Sequence, residues 1–116
     1  MNIFRHLVCV DINRGIREYH AEQNAVLVDV RSREEYDRKH IESSLSLPLS
    51  DLTLAEEVLP EKEIPVYVYA YGGEHSAKAA SRLRKMGYSN VHDIGGIKRC
   101  CGAQGYQGEM VSCDLM

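Results

Sequence analysis

Residues 65–88 read PVYVYAYGGEHSAKAASRLRKMGY, and the segment closes with VHDIGG at residues 91–96. Val66, Val68 and the flanking tyrosines make a β-rich run too short for a helix. Gly72 and Gly73 break that run. A helical pattern then opens at Ser76, its natural N-cap, and stops at Gly87. Ala79, Ala80, Leu83 and Met86 fall on one face of it, and Lys78, Arg82 and Lys85 point outward. A last short strand is expected over residues 91–94. Strand, tight loop and helix in this order aim backbone N–H groups and a helix N-terminus at one point, which favours an anion.

Working outward, residues 25–30 (AVLVDV) are a near-continuous apolar run, as in a strand covered on both faces. Ser32 and Glu35 form a capping-box pattern, with a short helix expected to about Lys39. Residues 44–47 form a second short strand, stopped by Pro48. Ser50 or Asp51 caps a further helix carrying Leu54, Val58 and Leu59, which Pro60 ends. Towards the N-terminus, residues 4–10 are a strand candidate. Asp11 then caps a helix with Ile12, Ile16 and Tyr19 on one face, weakened at Gly15 by about 1 kcal/mol relative to alanine and ended by Asn24. The alternation predicts a three-layer α/β/α fold with a mostly parallel sheet of about five strands. In such sheets ligands bind outside the carboxyl ends of the strands, and the loop after Tyr69 is one such end.

The whole chain, 116 residues, is read as a single domain. Residues 97–116 are glycine-rich, lack periodicity and read as loop and tail. The net charge of −3 gives no reason to expect nucleic acid or an anionic membrane as partner. No apolar run approaches the ~20 residues that a membrane-spanning helix needs, and Arg5, His6 and Asp11 interrupt anything like a signal peptide. A cytoplasmic location is the expectation, with the four cysteines as thiols. Cys100, Cys101 and Cys113 show no Cys-x-x-Cys spacing, so no metal is expected, nor any cofactor.

Several pieces, in order, carry a resemblance. Val28-Asp29-Val30-Arg31, then Glu34-Glu35-Tyr36, then Lys39-His40-Ile41, then residues 45–48 ending in Pro48, the strand–loop–helix above, Gly87-Tyr88, Val91 and finally Gly95-Gly96 resemble the rhodanese-like, single-domain thiosulfate sulfurtransferases over residues 4–96. The resemblance implies that the strand ending at Tyr69 should deliver a cysteine, which takes a sulfur from a donor such as thiosulfate, holds it as a persulfide and passes it on. Laid residue by residue, that cysteine falls on Ala70. The implied active-site loop is Ala70, Tyr71, Gly72, Gly73, Glu74, His75 and Ser76, with Asp29 and Arg31 as supporting residues.

The departures decide the functional expectation. A methyl group cannot attack sulfur. Glu74 brings a negative charge to a mouth built for anions, and the arginine that the family commonly has near His75 is absent. Ser43-Ser44 replaces a usual Gly-Ala, and Cys100 stands where tryptophan often follows the paired glycines. The chain as written is expected to lack sulfur transfer and to bind either a small sulfur-containing anion such as thiosulfate or a sulfur-carrying protein. The alternative is an active thiosulfate sulfurtransferase in which alanine replaces cysteine at position 70. A third reading places the sulfur on Cys100, although partly buried thiols are the blander account of Cys100 and Cys101. For Asp29 and Arg31 an ion pair fixing local geometry is expected ahead of substrate contact. His40 is expected to pack and orient the chain, and His75 to sit exposed before the helix cap. A phosphatase is excluded, since position 76, six after Ala70, is serine where arginine would be required.

Overall fold

The computed structural model describes residues 10–97. Its elements are α1 (Val10–Ala21), β1 (Val26–Asp29), α2 (Arg33–Arg38), β2 (Leu45–Ser46), a 3-10 helix (Leu49–Leu54) continuing into α3 (Ala55–Val58), β3 (Val66–Ala70), α4 (Gly73–Lys85) and β4 (Val91–Gly96). The strands lie in the order β2-β1-β3-β4, and every neighbouring pair is parallel. Four strands are therefore present among the described residues, against about five expected. The strand expected over residues 4–10 lies outside them, except for Val10, which already belongs to α1.

Strand alternation sends successive side chains to opposite faces, and both faces of this sheet are covered. Val28, Val30, Val66, Val68 and Ala70 pack with Leu52, Ala55, Ala79, Ala80 and Leu83 in one core. Leu27, Tyr67, Tyr69 and Ile94 pack with Ile12 and Ile16 of α1 in the other. This is the expected three-layer arrangement, and all five residues of β3 are buried at its centre. Each fully buried aliphatic side chain contributes about 1.5–3 kcal/mol relative to exposure.

Local differences have physical causes. The helix starts at Val10, so Asp11 lies within it rather than at its cap. Gly15 has a packing reason that its helix propensity hides: a Cβ there would stand 2.3 Å from Ile94 Cγ2. The missing methyl lets α1 lie against β4. Asn24 takes φ 63° in the turn after α1, a conformation that asparagine tolerates better than most residues. Ser32 forms the expected capping box with Glu35. Neither Ser50 nor Asp51 caps the next helix. It opens after Pro48 as a 3-10 turn without a side-chain cap, and the shifted phase buries Leu52 and Ala55 while Leu54 and Val58 stay exposed.

In α4 the helix begins three residues earlier than expected, at Gly73, with Gly72 as N-cap. Ser76 is then an interior residue, buried, and its hydroxyl donates to Gly73 O at 2.9 Å. Ala79, Ala80 and Leu83 face the core as expected, and Lys78, Arg82 and Lys85 are exposed. At the other end β4 runs on to Gly96. Val68 pairs with Asp93 but Tyr69 pairs with Gly95, so Ile94 is an extra residue in a bulge. Gly95 there takes φ 99°, and its N–H donates to Asp93 Oδ1 at 3.0 Å. The bulge carries Gly95 and Gly96 alongside Tyr69 and Ala70 at the carboxyl end of the sheet.

Candidate functional site

Beneath the carboxyl ends of β1 and β3 lies a buried polar knot. The Arg31 guanidinium grips Asp29 through Nε and Nη2, the closest contact being 2.8 Å, with side chains 1% and 0% exposed. Arg31 Nη2 also donates to Lys39 O at 2.6 Å. From the neighbouring strand Tyr69 donates its hydroxyl to Asp29 Oδ2 at 2.6 Å, while its oxygen accepts the Ile41 N–H at 3.1 Å. Ser44 Oγ lies 3.1 Å from the same hydroxyl and 2.7 Å from Ile41 O. Burial alone would weaken the Arg31 charge, but hydrogen bonding and attraction to Asp29 outweigh it and hold its pKa above the ordinary arginine value. Burial, then the Asp29 charge, pushes the Tyr69 hydroxyl well up, so it stays protonated and donating. This knot ties β1, β3 and the segment after α2 into one frame.

The loop sits on that frame. Ala70 ends β3 and is 1% exposed. Tyr71 and Gly72 follow, and α4 starts at once, with the N–H groups of His75 and Ser76 both directed to Gly72 O at 3.1 and 3.3 Å. The loop is pressed against the end of β4. Ile97 N–H donates to Ala70 O at 3.0 Å, and a Cβ on Gly96 would stand 2.6 Å from Tyr71 O and 2.8 Å from Gly72. Only glycine allows that approach. Above Ala70 a cavity of about 290 Å³ opens, walled by Val30, Arg31, Ser32, Glu35, Leu49, Ala70, Tyr71 and His75. One end of it faces the N-terminus of α4, whose cap carries no side-chain bond. Among the described residues no group of three or more His, Cys, Asp or Glu is placed to hold a metal ion, and no helix is long and apolar enough to cross a membrane.

The family model for the rhodanese-like domain matches residues 15–102. The chain belongs to the rhodanese-like family. It is 33% identical to thiosulfate sulfurtransferase PspE of Escherichia coli over 72 residues, covering 61% of this chain and 69% of that protein. It is 35% identical to thiosulfate sulfurtransferase GlpE of Coxiella burnetii over 78 residues, covering 66% and 72%. Among solved structures it resembles a rhodanese with anions from E. coli, with TM-score 0.60, 32% identity, and 65% of this chain and 89% of that one covered.

Within this rhodanese-like fold three of the seven expected loop residues, Ala70, Tyr71 and His75, lie in the wall of the cavity over Ala70, while Gly73 lines a separate one beside α1 and β4. Glu74 and His75 are exposed in the first turn of α4, so His75 lies after the cap rather than before it. Asp29 and Arg31 form the expected ion pair. His40 stacks on Tyr36 with ring centroids 3.8 Å apart, and its Nδ1 lies 2.8 Å from Tyr36 O. Cys100 and Cys101 lie outside the described residues. Tyr69, Ser44, Glu35 and Leu49 escaped sequence reasoning as parts of the site. Tyr69 sits in an apolar strand and reads as core, and only its pairing beside Asp29 gives its hydroxyl a task.

Proposed function

We propose that this chain is a single rhodanese-like domain, spanning residues 1–116, that binds at the loop over Ala70 without transferring sulfur. The observation that carries the reading is the placement of Ala70 at the end of β3, in the wall of the cavity that the loop and the N-terminus of α4 enclose. A persulfide needs a nucleophilic sulfur atom there, and the residue supplies a methyl group. Glu74 in the loop further opposes a dianionic donor. Thiosulfate or a sulfur-carrying protein are the occupants that the relatives' activities suggest.

A second reading, an active sulfurtransferase with alanine in place of its cysteine at position 70, has one observation in its favour. The frame under the loop, from Asp29 and Arg31 to Tyr69, is bonded together, with Arg31 Nη1 left as a buried donor without a partner among the described residues. Intact mass after incubation with thiosulfate separates the two, on this chain and on Ala70→Cys in parallel. One bound sulfur adds ~32 Da. The binding reading expects no gain in either protein. A gain in Ala70→Cys alone would establish the second reading.

A further inference from the structure

Arg31 uses only one edge of its guanidinium in the frame. Nε and Nη2 lie on that edge, and Asp29 and Lys39 O engage both. A guanidinium is a rigid planar fork, so holding one edge fixes where Nη1 stands. Nη1 is buried and has no acceptor among the described residues. It belongs to a side chain that is 1% exposed and lines the cavity over Ala70. A charged donor kept from water without an acceptor is costly. Among the described residues two other buried side-chain atoms lack a partner, Asn13 Oδ1 and Ser46 Oγ, and neither residue lines this cavity.

The rest of the wall says which acceptor suits Nη1. His75 brings the first turn of the 13-residue α4, the positive end of its dipole, to the wall. With Nη1, this favours an anionic oxygen. Val30, Leu49 and the Ala70 methyl are apolar, and about 290 Å³ is close to the lower limit of small-molecule pockets, near 300 Å³. The wall therefore suits a compact anion with a hydrocarbon body. Its charge is limited by the neighbouring carboxylates. Asp29 stands behind Arg31, and Glu35 is in the wall, with Oε1 turned to the N–H and hydroxyl of Ser32 at 3.2 and 3.1 Å. Repulsion from them doubles for a dianion, and the cost of taking an ion out of water rises faster still.

We propose that Arg31 contacts ligand as well as holding the frame: its Nη1 donates to the carboxylate of a small organic monoanion whose hydrocarbon body lies against Val30, Leu49 and Ala70. The proposal rests on the binding reading above and names the ligand class. Thiosulfate, a dianion with no apolar body, is the poorer occupant.

The test is an NMR titration of the whole chain, with its arginine side chains labelled with nitrogen-15, so that no variant of Arg31 has to fold. The probes are butanoate, its neutral counterpart butyramide, and thiosulfate. Butanoate is expected to shift the Arg31 Nη1 signal and to bind about tenfold more tightly than either other probe. Glu35→Gln keeps an oxygen for the Ser32 bonds and removes one negative charge from the wall. Its gain in affinity for thiosulfate is expected to be about the square of its gain for butanoate. Butanoate that moves the Tyr71 and Gly72 amides but not Arg31 Nη1 would overturn the role of Arg31 and leave the binding reading standing. Butyramide or thiosulfate binding as tightly as butanoate, or equal gains in Glu35→Gln, would overturn the choice of a monoanion. No shift with any probe at millimolar concentration would overturn the proposal and leave a sulfur-carrying protein as the occupant. Sulfur uptake by Ala70→Cys, with butanoate still shifting Arg31 Nη1, would remove the binding-only reading and leave this contact in place.

Discussion

The buried knot and the loop it supports are held by different physics. Asp29, Arg31, Tyr69 and Ser44 are at most 4% exposed and interlock through short, charge-assisted bonds. The loop from Tyr71 to Ser76 takes its shape from backbone contacts instead: Gly72 O receives two helix N–H groups, and Gly96 lies directly against Tyr71 and Gly72. Its polar side chains Glu74 and His75 are exposed. The difference teaches that the frame and the chemistry of this site are separable. A frame of buried charge tolerates little change, because each partner left alone carries its full desolvation cost. An exposed loop residue can change its charge with little cost to the fold, and the residue at position 70 need only be small and apolar enough for the core.

The comparison is broken most severely at the knot. Arg31→Met leaves the Asp29 carboxylate buried without its cation, and a loss of about 3–5 kcal/mol is expected in urea unfolding. A loss below about 1 kcal/mol, the range of exposed pairs, would show that the knot does not hold the frame. On the loop side, Gly96→Ala drives a methyl into Tyr71 O and Gly72. About 1–3 kcal/mol is expected, as for overpacking elsewhere, with amide shifts concentrated in the loop and few at Asp29 and Arg31. Shifts spread evenly over both regions would mean that loop and frame are one unit after all.

The smallest effect at neutral pH concerns the tyrosines. Burial, then the hydrogen bond to Glu22, pushes Tyr67 up to about 12, and Tyr69 is raised as well, by burial and by Asp29. An unfolded tyrosine ionises near pH 10. Between those values the unfolded chain has released protons that the folded chain keeps. The stability tied to these neutral hydroxyls is therefore complete below about pH 10 and is lost as pH rises through about 12. Alkaline titration followed by tyrosinate absorbance and circular dichroism should show the Tyr67 and Tyr69 signals arriving with unfolding. Their ionisation near pH 10 in a folded chain would contradict the burial described for them.

Much of this was legible in the residues themselves. The apolar runs at residues 25–30 and 66–70 are covered strands because nothing polar interrupts them except where a strand ends. Ser32 and Glu35 announce a helix start by the bonds they can make to its free N–H groups. Gly72-Gly73 marks the loop. The absence of sulfur at position 70 needs no structure at all, since a methyl group is inert wherever it lies. What misled was local chemistry that tertiary packing overrode. Ser76 is a good cap in isolation, but Gly72 already takes the cap position and α4 starts at Gly73. Leu54 and Val58 carry the right period for a core face, but the 3-10 turn after Pro48 rotates them outward.

By itself, then, the sequence determined the layer order, the place of the loop and the methyl group at position 70, because these follow from short-range patterns and from the atoms a residue has. Only the tertiary structure decided that Gly15 exists for Ile94 and Gly96 for the loop, that the Tyr69 hydroxyl belongs to Asp29 across two strands, and that Glu35 and Leu49 wall the cavity. Each of these is a contact between residues distant in the chain. No local pattern encodes such a contact, since its energy exists only once the sheet has set their distance.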